Sequence, residues 1–288
     1  MTQTLEELTG KPHISYSGFT TWLECGEKFR LQRIKGVQEQ PGYYLAGGSA
    51  VHHATEVYDQ GADVTTAIQA FHNYFDEELA QRPNAVWRAA GRKTAQWPQG
   101  EDDKWWRANG PDMVRKYAQF RINTGATFPI WQTETGLEGI ELAVDPEFTG
   151  GIVLKGYIDR VFALQSDLVV VDLKSGSREP ASALQLGVYA VAMEKQYGVR
   201  PKWGCYYMTR KGEMTPMVDL SHYTEDKLAR WFRNFKRAVE ADIFLPHVTS
   251  MCSGCGVREA CYAYTPSVAP DFSFDSDLAT SHDTKENQ

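Results

Sequence analysis

Ile152-Val153-Leu154-Lys155-Gly156-Tyr157-Ile158-Asp159-Arg160-Val161-Phe162 and, after the turn Gln165-Ser166-Asp167, Leu168-Val169-Val170-Val171-Asp172-Leu173-Lys174 form the stretch that decides the fold. Apolar, β-branched runs bounded by turn residues predict two strands of a hairpin, closed by Ser175-Gly176-Ser177. Side chains alternate along a strand, so Asp172 and Lys174 share one face with Leu168 and Val170 behind them. Val169, Val171 and Leu173 take the other face, and the hairpin brings Asp159 close to Asp172. Two carboxylates and an ammonium then gather at the end of an apolar sheet, where burial of an unpaired ion costs several kcal/mol. A hard divalent cation relieves that cost, because Mg²⁺ takes oxygen ligands and is commonly held by carboxylates plus substrate phosphates. The plainer reading of the same spacing is a surface hairpin carrying a salt bridge.

The next segment separates the two readings. Pro180 to Tyr197 has a helical pattern with proline near its first turn. Gln185 and Tyr189 lie four apart on one face of that helix. The ordered set of an Asp, an Asp-x-Lys and a Gln-x-x-x-Tyr is far more specific than any one piece. It resembles the core of the PD-(D/E)XK nuclease superfamily. Asp159 matches the first acidic motif, Asp172-Leu173-Lys174 the (D/E)-x-K motif, and Gln185 with Tyr189 the Q-x-x-x-Y helix of the RecB-like branch. The resemblance spans roughly residues 15–262, although the part from 60 to 130 carries no motif. It implies an α/β, restriction-endonuclease-like core, with a central mixed sheet flanked by helices, a helical insertion and a C-terminal iron–sulfur loop.

At 288 residues the chain can bury a substantial core. No apolar run approaches membrane-spanning length, and the N-terminus lacks the basic and apolar regions of a signal peptide, so a cytoplasmic protein with no membrane role is expected. The formal charge of −7 argues at first against nucleic acid. Beyond Pro266, however, Asp271, Asp275, Asp277, Asp283 and Glu286 stand against Lys285 alone, so much of the excess belongs to an acidic tail, residues 266–288, expected to be disordered. A bound metal also offsets acidic ligands.

Residues 1–14 read as a loose leader before a nuclease domain over 15–265. Ser17 is a plausible N-cap for a helix from Gly18 to Lys35, apolar at Phe19, Trp22 and Phe29, basic at Lys28, Arg30 and Arg33, and containing Cys25. Gly47-Gly48-Ser49 opens a second helix over 50–60, and Gly48 to His52 resembles the G-x-x-x-H motif of the same branch. His52 is thereby implied as a metal ligand, although a lone histidine is more often structural. His53 points about 100° away round the helix and cannot serve the same metal. Val64 to Ala80 predicts an amphipathic helix, and Met113 to Thr124 a further one. Between them tryptophans alternate with cations. Trp105 and Trp106 suit base stacking, though tryptophans are usually packed. Trp131 to Val144 predicts a strand bearing Glu138 and Glu141, either of which suits an auxiliary ligand or a solvated face. Lys202 to Thr209 and Glu213 to Val218 predict strands, with Cys205 a buried free thiol. Tyr223 to Ile243 predicts a long helix whose Arg230, Arg233 and Arg237 stripe suits a DNA backbone or simply solvent.

Five cysteines in an intracellular chain point to metal rather than disulfides. Cys252, Cys255 and Cys261, spaced C-x2-C-x5-C in a glycine-containing loop, lack a fourth partner, for which Cys25 is the natural candidate. Four thiolates suit Zn²⁺ or an iron–sulfur cluster alike. The arrangement resembles nucleases in which an early cysteine and a C-terminal trio hold a [4Fe-4S] cluster, such as the AddB-type and the standalone CRISPR-associated exonucleases, and implies that cluster here.

The resemblance implies Asp159, Asp172, His52 and the Leu173 carbonyl as ligands of Mg²⁺ or Mn²⁺. Lys174 would act on the attacking water, with Gln185 and Tyr189 positioning it. The products would be 5′-phosphates, and the substrate single-stranded DNA or DNA ends in recombination, repair, viral or CRISPR DNA processing. No nucleotide-binding G-x-x-x-x-G-K-[ST] is present, so any unwinding falls to a helicase or recombination partner. Two other classes fit the same residues: a DNA-end-binding iron–sulfur partner that cuts little, and a redox iron–sulfur protein without DNA affinity.

Overall fold

The computed structural model describes residues 3–125, 127–131, 140–143 and 153–269. The first helix, α1 (Leu5–Thr9), is set by a capping box in which Thr4 Oγ1 accepts from Glu7 N–H and Glu7 reaches back to Thr4 N–H. Leu5 is buried, and β1 (His13–Ile14) adds to the sheet. The expected loose leader is therefore corrected: its apolar residues Leu5 and Ile14 join the main core.

The helix α2 (Tyr16–Glu24) starts two residues before the expected position, because Ser15 and not Ser17 caps it, accepting from Gly18 N–H at 3.1 Å. The expected continuous helix over 18–35 also breaks. Cys25 is extended, with φ −163° and ψ 108°, and α3 (Gly26–Phe29) runs on into a wide turn over Arg30–Ile34. At the break Gly26 N–H donates to Leu245 O at 3.0 Å. A Cβ on Gly26 would lie 2.8 Å from Leu245 N, so the glycine is what lets the two chain segments touch.

Three helices pack on one another: α4 (Tyr43–Asp59), α5 (Val64–Ala80) and α6 (Asp103–Thr124), the last two within the stretch 60–130 where a helical insertion is expected. Asp63 and Asp102 cap the last two. Ala50, Val51, Phe71, Phe75, Trp106 and Met113 make their shared core. Gly47 and Gly48 lie inside α4 rather than before it. A Cβ on Gly47 would fall 2.1 Å from the Trp106 ring, so contact with α6 replaces the turn expected there. Likewise α6 runs through Gly110-Pro111 instead of starting at Met113, because a side chain at 110 would strike Phe71.

The strands are β2 (Ile140–Ala143), β3 (Val153–Ile158), β4 (Arg160–Leu164), β5 (Asp167–Lys174), β6 (Trp203–Met208), β7 (Glu213–Met214) and β8 (Val218–Asp219). The long first strand expected over 152–162 divides at Asp159. Its first half pairs with β1 in parallel and with β2 antiparallel, in the order β1-β3-β2. Its second half pairs antiparallel with β5 in a sheet ordered β4-β5-β6-β7, with β8 also on β6. Strands β5 and β6 are parallel, joined through α7 (Leu184–Tyr197). That helix begins after Pro180 because Ser182 first turns the chain, its hydroxyl accepting from Leu184 N–H.

Both faces of β5 are covered. Val170 meets the core shared with α7 and α8 (Glu225–Glu240), while Val169, Val171 and Leu173 meet Tyr117 and Phe120 of α6. Each such buried aliphatic side chain stabilises by about 1.5–3 kcal/mol. The result is an α/β fold with a curled mixed sheet flanked by helices. Cys205 is buried as expected, and burial pushes its thiol up to about 12. Among the described residues no helix is long and apolar enough to cross a membrane. Glu138 and the acidic tail from residue 270 onward lie outside the described residues. Glu141 is on β2, in register with Tyr157.

Candidate active site

Asp159 occupies the bend where β3 gives way to β4. Its two oxygens are held from different elements. Leu173 N–H of β5 donates to Oδ2 at 2.8 Å, and His52 Nδ1 of α4 lies 3.0 Å from Oδ1. Burial pushes the Asp159 carboxyl up, but His52, the Leu173 N–H and Arg160 outweigh it and hold the group below its usual range. For His52, burial depresses the ring's basicity, while Asp159 and Asp172 raise it further, so the net shift is upward.

Asp172, one register in from the end of β5, is 3% exposed. Burial, and then the charge of Asp159, pushes its carboxyl up to about 6. Lys174 Nζ stands 2.6 Å from its Oδ2, an ion pair that draws the carboxyl partway back down, and Oδ2 has no other donor among the described residues. Lys174 Nζ also donates to Gln185 Oε1 at 2.9 Å, and Gln185 Nε2 donates to Tyr189 Oη at 3.0 Å. Gln185 and Tyr189 face the strand from successive turns of α7. The sequence-derived cluster of His52, Asp159, Asp172, Lys174, Gln185 and Tyr189 is thus brought together from α4, the β3–β4 bend, β5 and α7. Among the described residues, no three His, Cys, Asp or Glu side chains already converge as a metal-binding group. Asp159 is engaged with His52, and Asp172 with Lys174.

Sequence reading missed the support beneath this site. Arg160 is buried, and its Nε donates to Asp59 Oδ2 at 2.6 Å. Tyr117 Oη donates to the same oxygen and Arg121 Nε to Oδ1. Asp59 lies two turns beyond His52 on α4, so one helix supplies both the partner of Asp159 and the partner of its neighbour. The available signal was an arginine enclosed by Ile158 and Val161, which needs a buried anion. A second support holds the loop after Lys174. Arg210 Nε donates to Ser175 O, and its guanidinium forms a bidentate pair with Glu101 at 2.6 and 2.9 Å.

That same guanidinium lies 4.7 Å from the Trp105 ring. Trp106 is fully buried, so its expected base stacking is corrected: it fills the insertion core against Gly47. Arg230, Arg233 and Arg237 are exposed on α8.

The C-terminal cysteine loop lies against Cys25, but among the described residues no three of these cysteines converge as a metal-binding group. Cys25 is at the helix break, not within a helix as the sequence suggested, and its Sγ accepts from His247 N–H at 3.4 Å. Cys252 Sγ accepts from Thr249 N–H at 3.4 Å and lies 3.8 Å from His247 O. Cys261 is close enough to Cys25 for their charges to interact, and Cys255 follows on the turn closed onto Cys252 O.

The sequence model described as the PD-(D/E)XK nuclease superfamily matches residues 13–262. The Gene 69 protein of Mycobacterium phage D29 is 28% identical over 273 residues, covering 87% of this chain and 96% of that protein. The Gene 69 protein of Mycobacterium phage L5 is 27% identical over 294 residues, with coverage of 87% and 96%. A crystal structure described as "Putative exonuclease" from Eubacterium rectale superposes with a TM-score of 0.50 at 12% identity, covering 98% of this chain and 99% of that one. That is a likeness of fold.

Proposed function

The chain belongs to the PD-(D/E)XK nuclease superfamily, and we propose that it is a divalent-metal-dependent DNA exonuclease of the RecB-like branch, acting on single strands or DNA ends. The observation that carries this reading is the connected set Asp172, Lys174, Gln185 and Tyr189 facing Asp159 and His52. The mycobacterial phage relatives favour viral DNA processing or recombination over a CRISPR role.

The buried Asp172 Oδ2, whose near partner among the described residues is the Lys174 ammonium alone, fits a cation ligand. Asp159, Asp172, His52 and the Leu173 carbonyl would hold Mg²⁺ or Mn²⁺, which supplies Lewis-acid stabilisation of the phosphate when bound. The protein's own groups do the rest. Leu173 N–H fixes the Asp159 carboxylate, so its rotamer is set before any ligand arrives. Lys174, already held by Gln185, can release Asp172 without losing its place. Its ammonium orients the attacking water and offsets charge that builds on the phosphate as the bond to the 3′ oxygen breaks. Tyr189 fixes which way the Gln185 amide faces, so that its carbonyl meets the ammonium.

Cys25, Cys252, Cys255 and Cys261 would hold a [4Fe-4S] cluster. Backbone N–H groups of His247 and Thr249 donate to the Cys25 and Cys252 sulfurs, the kind of hydrogen bond that cluster sulfurs accept. The group takes no part in hydrolysis and contributes folding energy. Iron and zinc analysis of anaerobically purified protein decides the metal.

The test is Lys174→Ala assayed on end-labelled single-stranded DNA. Cleavage should fall to background while the melting temperature and iron content persist. Full activity in the variant sinks the assignment. A wild-type protein that binds ends but never cuts them would favour the binding-partner reading.

A further inference from the structure

We propose that the cleft beside Asp159 seats an unpaired nucleobase stacked on the ring of Tyr157, next to the phosphate under attack. The inference deepens the nuclease reading and rests on it. The cleft measures about 480 Å³ and is lined by His52, His53, Glu56, Gln60, Tyr157 and Asp159 among others. One wall is α4 and the floor is the end of β3 with the bend that follows. Two of the residues that would hold the cation therefore open into it.

Tyr157 is 59% exposed, although tyrosine rings usually bury most of their surface. Its neighbour Ile158 is 1% exposed and belongs to the core. The strand thus presents an aromatic face to the cleft two residues before the motif aspartate. A base stacked on such a ring is held whatever its identity, because every base has a π-face. The opposite wall is firm, because His53 stacks on Tyr74 with centroids 4.7 Å apart.

Charge decides which part of a nucleotide enters. Glu56, one turn beyond His52, and Asp159 both repel a phosphate. Among the described residues the side chains of Glu56 and Gln60 make no hydrogen bond, so both can meet the polar edge of a base. A base inside a duplex has both faces stacked and its pairing edge taken, so the cleft admits only a single strand or a frayed end. Strand preference follows from Tyr157 and not from a distant basic groove.

The experiment measures Mg²⁺-supported cleavage of single-stranded oligonucleotides carrying an abasic site at successive positions. Wild type, Tyr157→Ala and Tyr157→Phe are compared, with binding read by fluorescence anisotropy in Ca²⁺. Tyr157→Ala should lower kcat/KM about tenfold, through KM, with an unchanged melting temperature, and Tyr157→Phe should rescue it. An abasic site at one fixed position should cost wild type a similar factor and cost Tyr157→Ala nothing further. Losses that multiply, or an alanine variant with wild-type KM, overturn the stacking. A wild type that does not cut but binds in the same base-dependent way defeats the nuclease reading while the stacking stands. A wild type with neither cleavage nor base-dependent binding defeats both.

Discussion

Asp159 shows how a single residue organises its surroundings. It sits where one strand becomes two, and the residue after it, Arg160, is anchored by Asp59 and Tyr117 within the protein. Asp59 also meets Arg121, and its side chain is 4% exposed. Asp59→Ala would leave the buried Arg160 and the partly buried Arg121 without their anion, a loss of about 3–5 kcal/mol. Calorimetry should show a much lower melting temperature, with activity lost alongside. Gln185→Ala should behave oppositely. The fold survives, but Lys174 loses its hydrogen-bond acceptor, and a misplaced catalytic group costs on the order of 10²-fold in kcat. Of these residues Asp159, Asp172, Lys174, Gln185 and Tyr189 were legible, because their spacing is local and ordered. The Arg160–Asp59 pair was not, because its two ends lie far apart in sequence and only the fold joins them.

Among the elements, periodic helices read well and interrupted ones did not. Val64–Ala80 appears with the bounds its pattern gives, capped by Asp63. The glycine pair before His52 reads as a helix start in sequence, yet lies within α4, because Trp106 of another helix needs the space. The helix expected over Met113–Thr124 likewise extends back to Asp103 through Gly110-Pro111, where a side chain at 110 would meet Phe71. The long strand divides at Asp159 without any turn signal, since the division comes from pairing with two different partners. A glycine whose role is contact rather than backbone freedom makes a specific prediction. Gly47→Ala should destabilise by about 1–3 kcal/mol through overpacking. In a Trp106→Leu background the same substitution should cost less, and a double-mutant cycle by denaturant unfolding measures the difference.

Across the whole molecule, the two ends of the domain are tied together beside Cys25. Gly26 bonds to Leu245, His247 N–H to Cys25, and Leu5 N–H to Glu240. Cys25→Ser should lower both iron content and melting temperature. Cys205→Ala, at a buried thiol packed on Met214, should leave the iron content unchanged. That contrast separates a cysteine of the closing module from one of the sheet core. The helices α4 and α6 likewise serve the sheet, since α4 brings His52 and Asp59 to the bend and α6 brings Tyr117 and Arg121 beneath it. The central claim is that this convergence makes a cation-dependent nuclease centre. The most direct measurement is degradation of end-labelled single-stranded DNA against Mg²⁺ or Mn²⁺ concentration, by wild type and by Asp172→Ala. Loss of DNA only with added cation, abolished by EDTA and absent at every concentration in a folded Asp172→Ala, is the predicted result. Cleavage that survives EDTA, or an Asp172→Ala protein as active as wild type, would contradict it.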